Sequence, residues 1–159
     1  MRFHLIDRID EIYYGKYIKG IKCITLADDV FDQHFPGYPV FPGSLIIESL
    51  AQLGGAYFEL VMKKENQISK QCVLSIVNKM KFRKGSYPGD CLAIKAEVKT
   101  YNEDFGVVYV TATVDDKVRA EGELTFMFVD IATDELINSR KSLYNILAKN
   151  MVVVDENNL

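Results

Sequence analysis

Residues 44–64 read Ser-Leu-Ile-Ile-Glu-Ser-Leu-Ala-Gln-Leu-Gly-Gly-Ala-Tyr-Phe-Glu-Leu-Val-Met-Lys-Lys, and this stretch decides the fold. It contains no proline and is dense in Leu, Ile, Ala and Met, so it predicts a helix of about six turns. Gly43 or Ser44 marks its start, and Lys63 and Lys64 suit the negative end of its dipole. Apolar residues point in almost every direction around the axis: Leu45, Ile46, Ile47, Leu50, Ala51, Leu53, Ala56, Tyr57, Phe58 and Leu60. A helix that is apolar nearly all round is a buried one, so the remaining elements must wrap it.

The wrapper follows the helix. Residues 71–83 read as a strand, and Tyr87-Pro-Gly-Asp90 as a turn. Residues 91–101 alternate, with Leu92, Ile94, Ala96 and Val98 on one face and Lys95, Glu97 and Lys99 on the other. Asn102 to Gly106 form a hairpin loop. Residues 107–114 and 118–129 are two more strands joined by the tight turn Asp115-Asp116-Lys117.

Before the helix, residues 1–12 mix apolar and charged types and are expected as a short helix or turn leading into a strand. Residues 13–27 alternate as one half-buried strand, in which Gly15 or Gly20 could mark a bulge or bend. Residues 28–43 are loop, punctuated by Pro36, Gly37, Pro39, Pro42 and Gly43. Residues 133–149 carry a helical pattern through Leu136, Ile137, Leu143, Ile146 and Leu147, which predicts a peripheral C-terminal helix.

Together these elements predict an α+β fold, an antiparallel sheet wrapped around a long buried helix, which is the hot-dog architecture. The expected division is a domain over residues 1–130 and a C-terminal helical extension and tail over 131–159.

The chain has 159 residues, 48% hydrophobic and 26% charged, which fits one domain able to bury its own core. A net charge of −3 argues against a general nucleic-acid binder. Cys23, Cys72 and Cys91 are scattered and odd in number, so neither a disulfide framework nor a zinc site is expected, and each is read as a small buried hydrophobe. His4 and His34 are the only histidines, too few for a multi-histidine metal site. No N-terminal signal peptide and no uncharged apolar run of membrane-spanning length is read, so the expected compartment is the cytoplasm.

Glu48 is out of place one turn into this apolar helix. Burying a carboxylate costs several kcal/mol unless it is paired, hydrogen-bonded or neutralised. Ser44, Glu48 and Gln52 share one face at helical spacing, with Gly55 and Glu59 continuing roughly the same direction. The plain alternative is a narrow solvated stripe with Glu48 exposed.

His34 precedes the helix across a loop of three prolines and two glycines. Prolines fix φ, and glycines let backbone amides approach a ligand closely. Such a loop can hold an imidazole against the helix N-terminus, whose free N–H groups offer an oxyanion site.

These parts suit dehydration of a 3-hydroxyacyl thioester. The reaction needs a base for the Cα proton, stabilisation of enolate charge on the thioester oxygen, and an acid for the departing hydroxyl. An imidazole with its ordinary pKa of ~6.5 can be the base at His34. The Gly43 N–H can polarise the carbonyl. Glu48 can protonate the hydroxyl, or hold it or a water, if burial favours its protonated form. The apolar surroundings would accept an acyl chain.

The stretch His34-Phe-Pro-Gly-Tyr-Pro-Val-Phe-Pro-Gly-Ser-Leu-Ile-Ile-Glu48-Ser-Leu-Ala-Gln52 resembles the signature of the 3-hydroxyacyl-acyl-carrier-protein dehydratases of the FabZ type. It meets every fixed position of their pattern, H-F-P-G-x-P-x-x-P-G-x-x-x-x-E-x-x-A-Q. Leu5-Ile-Asp-Arg-Ile9 is similar to the family's N-terminal segment, and Lys81-Phe-Arg-Lys-Gly-Ser-Tyr-Pro-Gly-Asp90 to its F-R-x-x-x-x-P-G-D stretch, so the likeness covers about residues 1–129.

The resemblance implies a hot-dog homodimer with the two sheets joined, and often three such dimers in a hexamer. It implies that His34 of one protomer and Glu48 of the other form the catalytic pair, with no metal or cofactor. Gly43 would supply the oxyanion N–H, Gly37 would belong to the substrate-binding loop, and Gln52 would sit behind Glu48. Glu48, where the related dehydratase–isomerases have Asp, favours dehydration without isomerisation.

The implied partner is an acidic acyl carrier protein bearing the acyl-phosphopantetheine substrate. Lys79, Lys81, Arg83 and Lys84 could dock it, or could equally be a solvated strand edge kept from aggregating by its lysines. Tyr38, Ser44 and Gly85 depart from common members, which leaves acyl-chain preference and pathway open. Two other readings remain: a hot-dog acyl-thioester hydrolase, and a non-catalytic acyl- or carrier-binding subunit.

Overall fold

The computed structural model describes residues 3–131 and 133–158, so the first two positions of the N-terminal segment lie outside it. The long helix α1 runs over Gly43–Lys64, with Pro42 at its N-cap and Lys63 and Lys64 in its last turn. The first N–H groups of a helix have no intrahelical acceptor, so a proline at the entry removes no helix bond. Leu50, Leu53 and Phe58 of α1 are completely buried. By length and composition α1 could cross a bilayer, yet 67% of that stretch is buried within the fold, as a core helix is.

Among the described residues, seven strands surround it: β1 (Arg8–Tyr13), β2 (Tyr17–Cys23), β3 (Gln71–Phe82), β4 (Cys91–Tyr101), β5 (Phe105–Val114), β6 (Lys117–Val129) and β7 (Val152–Val153). They form one sheet in the order β3-β6-β5-β4-β2-β1-β7. Alternation sets which face meets α1: in β5, Gly106, Val108, Val110, Ala112 and Val114 are buried while their neighbours are half-exposed. The β5–β6 hairpin turns through Asp115 and Asp116, with φ of 50° and 61°, the left-handed pair that a two-residue type I′ turn requires.

Phe58 is the knot of the core. Its ring lies 5.3–5.8 Å from those of Tyr57, Tyr101, Phe126 and Phe128, so it ties α1 to β4 and β6. Tyr57 adds a polar tie: its hydroxyl accepts a 2.7 Å bond from the Gly15 N–H in the β1–β2 turn.

Four expectations need correction. Among the described residues, 4–7 form neither helix nor turn, and the strand they lead into, β1, already begins at Arg8, with Ile9 and Ile12 buried. The single strand expected over 13–27 is the second half of a hairpin, broken at Gly15 (φ 85°) and resuming as β2. The sheet is mixed, because β7 pairs parallel to β1 at Glu11↔Val152 and Ile12↔Val153. Two of the three cysteines are not buried hydrophobes: Cys23 and Cys91 are exposed, face each other across β2 and β4, and bring their sulfurs to 3.7 Å, whereas Cys72 is half-buried against the core.

The C-terminal helix is present as α2 (Asp134–Leu147). The Thr133 hydroxyl caps it by accepting from the Leu136 N–H, and Asp134 and Glu135 sit in its positive first turn. Leu147 and Val154 are buried, so this segment packs into the fold.

Replacing Phe58 with alanine removes the ring on which four others pack. The expected loss is about 3–5 kcal/mol of unfolding free energy, measured by urea denaturation.

Candidate active site

The loop from Gln33 to Pro42 is built to hold one imidazole. Phe35 and Tyr38 exchange backbone bonds of 3.0 and 2.8 Å around Pro36 and Gly37. Gly37 has φ of 75°, which places proline and glycine at the two central positions of a type II turn. That turn alone accounts for a glycine at position 37. The His34 carbonyl accepts from the Val40 N–H at 3.0 Å, and the Val40 carbonyl lies 2.7 Å from His34 Nδ1. A carbonyl can only accept, so Nδ1 carries the proton and Nε2 is the basic nitrogen. The Phe35 ring stacks on the imidazole at 4.0 Å.

The loop is anchored below by the Phe41 N–H, which donates to the Ser86 carbonyl at 2.8 Å. His34, Gly43, Phe82, Arg83, Lys84 and Ser86 line one cavity of about 320 Å³. Gly43 opens α1, so its N–H is among those left without an intrahelical acceptor. A side chain there would set its Cβ 2.9 Å from Cζ of Phe82, so glycine keeps this approach open.

Glu48 is half-buried one turn further along α1. Gln52 Nε2 donates to Glu48 Oε1 at 3.0 Å and to the Phe3 carbonyl at 2.7 Å, and Gln52 Oε1 accepts from the Leu5 N–H at 2.9 Å. One amide thus fixes the carboxylate and pins the N-terminal segment over α1. Glu48 and Gln52 line a second cavity of about 420 Å³, together with His4, Ala51, Gly55 and Glu59. The structure therefore brings His34 to Gly43 and Glu48 to Gln52, but the cavity lined by His34 is not the one lined by Glu48.

The four basic candidates differ in setting. Arg83 pairs with Glu121, with Nη2 2.5 Å from Oε1, and lines the His34 cavity beside Lys84. Lys81 faces Glu121 across the β3–β6 pairing, and Lys79 sits in the bulge between Asn78 and Lys81 with φ of 52°.

Sequence reasoning missed one cluster. Glu59 accepts hydrogen bonds from Tyr144 and Gln71, and its Oε1 lies 3.4 Å from Arg140 Nη1. Burial raises the Glu59 carboxyl above its ordinary value, against the opposing pull of Arg140 and of the two hydrogen bonds. The same burial, with the Glu59 charge beside it, pushes the Tyr144 hydroxyl well up. The available signal was the eleven-residue spacing from Glu48 to Glu59, three helical turns along one face. The partners on α2 could not be paired to it from the sequence.

The FabA-like domain pattern matches residues 1–123. The chain is 42% identical over 128 residues to a 3-hydroxyacyl-acyl-carrier-protein dehydratase FabZ of Acetivibrio thermocellus, covering 80% of this chain and 86% of that one. It is 38% identical over 125 residues to the protein of the same name from Clostridium acetobutylicum, covering 79% and 86%. Among solved structures, the dehydratase heterocomplex ApeI:P from Xenorhabdus doucetiae superposes with a TM-score of 0.68 at 17% identity, covering 87% of this chain and 90% of that one. A mutant thioesterase from Pseudomonas aeruginosa gives a TM-score of 0.61 at 17% identity, covering 78% and 81%. At such identities the two structures establish the shared hot-dog fold alone.

The raised Glu59 carboxyl carries a pH signature. Its folded form holds a proton more tightly than the unfolded chain does, so its stabilising contribution is complete below the ordinary carboxylate range. That contribution is lost as pH rises from about 4 through the raised value. Glu59→Gln removes this titration. Melting temperatures across that range should show wild type losing ground to Glu59→Gln as pH rises, and a constant difference would contradict the assignment.

Proposed function

We propose that this chain, which belongs to the FabA-like family, removes water from 3-hydroxyacyl thioesters carried on an acyl carrier protein, giving the trans-2-enoyl thioester of fatty-acid or related acyl-chain synthesis. The observation that carries the reading is the His34–Val40 bond, which leaves a basic Nε2 on the cavity that holds the free N–H of Gly43. Likeness to the FabZ dehydratases at about 40% identity, over most of each chain, supports the same reaction.

Each part then has a role. Nε2 of His34 takes the C2 proton while the Gly43 N–H holds the charge that develops on the thioester oxygen. The C2–H electron pair forms the C2–C3 double bond as the C3–O bond breaks. Glu48, held by Gln52, gives its proton to the departing hydroxyl, which leaves as water. The acyl chain lies in the largely apolar cavity past Glu48.

His34 and Glu48 line separate cavities, so the working site joins His34 of one copy to Glu48 of a second. The edge strand β3 supports this arrangement. It exposes Val73, Ile76, Val77 and Phe82, a liability unless another strand covers it. Two copies paired through β3 make a continuous sheet, and three such dimers would make the hexamer.

Lys84 and Arg83, which line the His34 cavity, would meet the acidic carrier protein, with Lys79 and Lys81 further along the same edge. The reading carries with it a cytoplasmic location.

A single assay tests the reaction. With a 3-hydroxyacyl carrier thioester, the protein should form enoyl product without releasing free thiol. Thiol release instead would mark a hydrolase, and neither product a binding subunit. His34→Ala and Glu48→Gln should each lower kcat about a hundred- to ten-thousand-fold with folding intact by circular dichroism. Near-wild-type turnover in either variant sinks the assignment.

Complementation tests the shared site. The two inactive variants, unfolded together and refolded as a mixture, should regain roughly a quarter of wild-type turnover, because a mixed dimer carries one intact pair. No recovery from a mixture shown to contain mixed dimers would place both residues of the pair in one chain.

A further inference from the structure

The cavity lined by Glu48 follows one face of α1 past Gln52 and Gly55 to Glu59, and Leu136, Leu143 and Leu147 of α2 line it from outside. Glu59, Arg140 and Tyr144 also line a neighbouring cavity of about 340 Å³, which reaches Leu60 and Ile68. The three side chains are therefore a partition between two spaces. It is a polar partition, held by the bond from Tyr144 to Glu59 and by the Arg140–Glu59 ion pair, with Gln71 bonded behind it.

An alkyl chain has no hydrogen bond to offer in exchange. To pass, it would have to push Tyr144 aside and leave a buried carboxylate short of partners. The α2 half of this wall lies beyond residue 123, where the FabA-like match ends, so it is added to the family's common frame.

We propose that Glu59, Arg140 and Tyr144 form a back wall that limits acyl-chain length, making α2 a specificity element for short and medium 3-hydroxyacyl thioesters. The proposal rests on the dehydratase reading above. Eleven residues of helix separate Glu48 from Glu59, a rise of about 16 Å. At roughly 1.2 Å per bond of an extended chain, that reach holds roughly a dozen carbons. A terminal methyl that fits ends on apolar surface, and a longer chain meets the ion pair.

The test measures kcat/KM for enoyl formation on carrier thioesters of increasing length, from short to well beyond a dozen carbons. It uses the full-length protein and the variants Tyr144→Ala, Tyr144→Leu and Tyr144→Phe. Wild type should lose roughly tenfold or more once the chain outgrows the cavity. Tyr144→Ala joins the two spaces and should raise the long-to-short ratio by roughly tenfold. Tyr144→Leu, the better packed replacement, should move it the same way if the alanine variant does not fold. Tyr144→Phe keeps the bulk of the wall but loses the bond to Glu59, so its long-to-short ratio should fall between those of wild type and the alanine variant.

A flat wild-type profile overturns the proposal, as does an unchanged cut-off in a folded alanine or leucine variant. Absence of enoyl product at every length, wild type included, overturns the dehydratase reading and the wall's role with it. Enoyl formation with an unaltered cut-off in the folded alanine and leucine variants overturns the wall alone.

Discussion

Everything in this fold answers to one constraint: a helix that is apolar nearly all round must be buried, yet it carries two carboxylates. Burial of α1 supplies the driving force for wrapping the sheet, since each large apolar side chain removed from water contributes about 1.5–3 kcal/mol. The same burial makes Glu48 and Glu59 costly unless they are satisfied. The two are satisfied differently. Among the described residues, Glu48 receives one bond, from Gln52, and keeps capacity for another donor. Glu59 is saturated by Gln71, Tyr144 and Arg140. One carboxylate keeps the capacity that the proposed reaction needs and the other is locked into structure, although both stand on the same helical face.

Much of this was legible in residues 34–64. The helix could be read because its composition leaves only a narrow polar stripe. The loop could be read because three prolines and two glycines leave few backbone paths between His34 and Gly43. The roles of those glycines were less legible. Gly37 answers to a turn angle and Gly43 to the Phe82 ring, and the second of these requirements arises only when β3 and α1 meet in space.

The misreadings share a physical cause, which is that pairing partners distant in sequence override local pattern. Residues 8–13 have too few alternating positions to announce a strand, and β1 forms because β2 bonds one edge and β7 the other. β7 has only two residues and takes its conformation from β1. Cys23 and Cys91 were read as buried because isolated cysteines usually are, but each falls on the outward face of its strand at the end of a register fixed by residues 17–22 and 92–97. Arg140 and Tyr144 looked like ordinary residues of a surface helix. Their significance depends on where α2 docks, and a helical period says which residues share a face but not what that face will meet.

The edge strand β3 shows how the same constraint reaches outside the single chain. It presents exposed Val73, Ile76 and Val77 before the bulge at Asn78–Lys81; Lys79 lies in that bulge, Lys81 and exposed Phe82 end the strand, and Arg83 and Lys84 follow it. The apolar part can tolerate exposure only if another strand covers it, and the charged part resists being covered because like charges would be brought together. In the proposed dimer, strand pairing therefore centres on the first half of β3. The second half stays open beside Gly43 and the His34 cavity, where Arg83 and Lys84 stand. A carrier protein with acidic surface could approach there without competing with the partner subunit for the same residues. In the proposed arrangement, the first half of β3 would serve assembly and the basic residues from Lys79 to Lys84 substrate delivery.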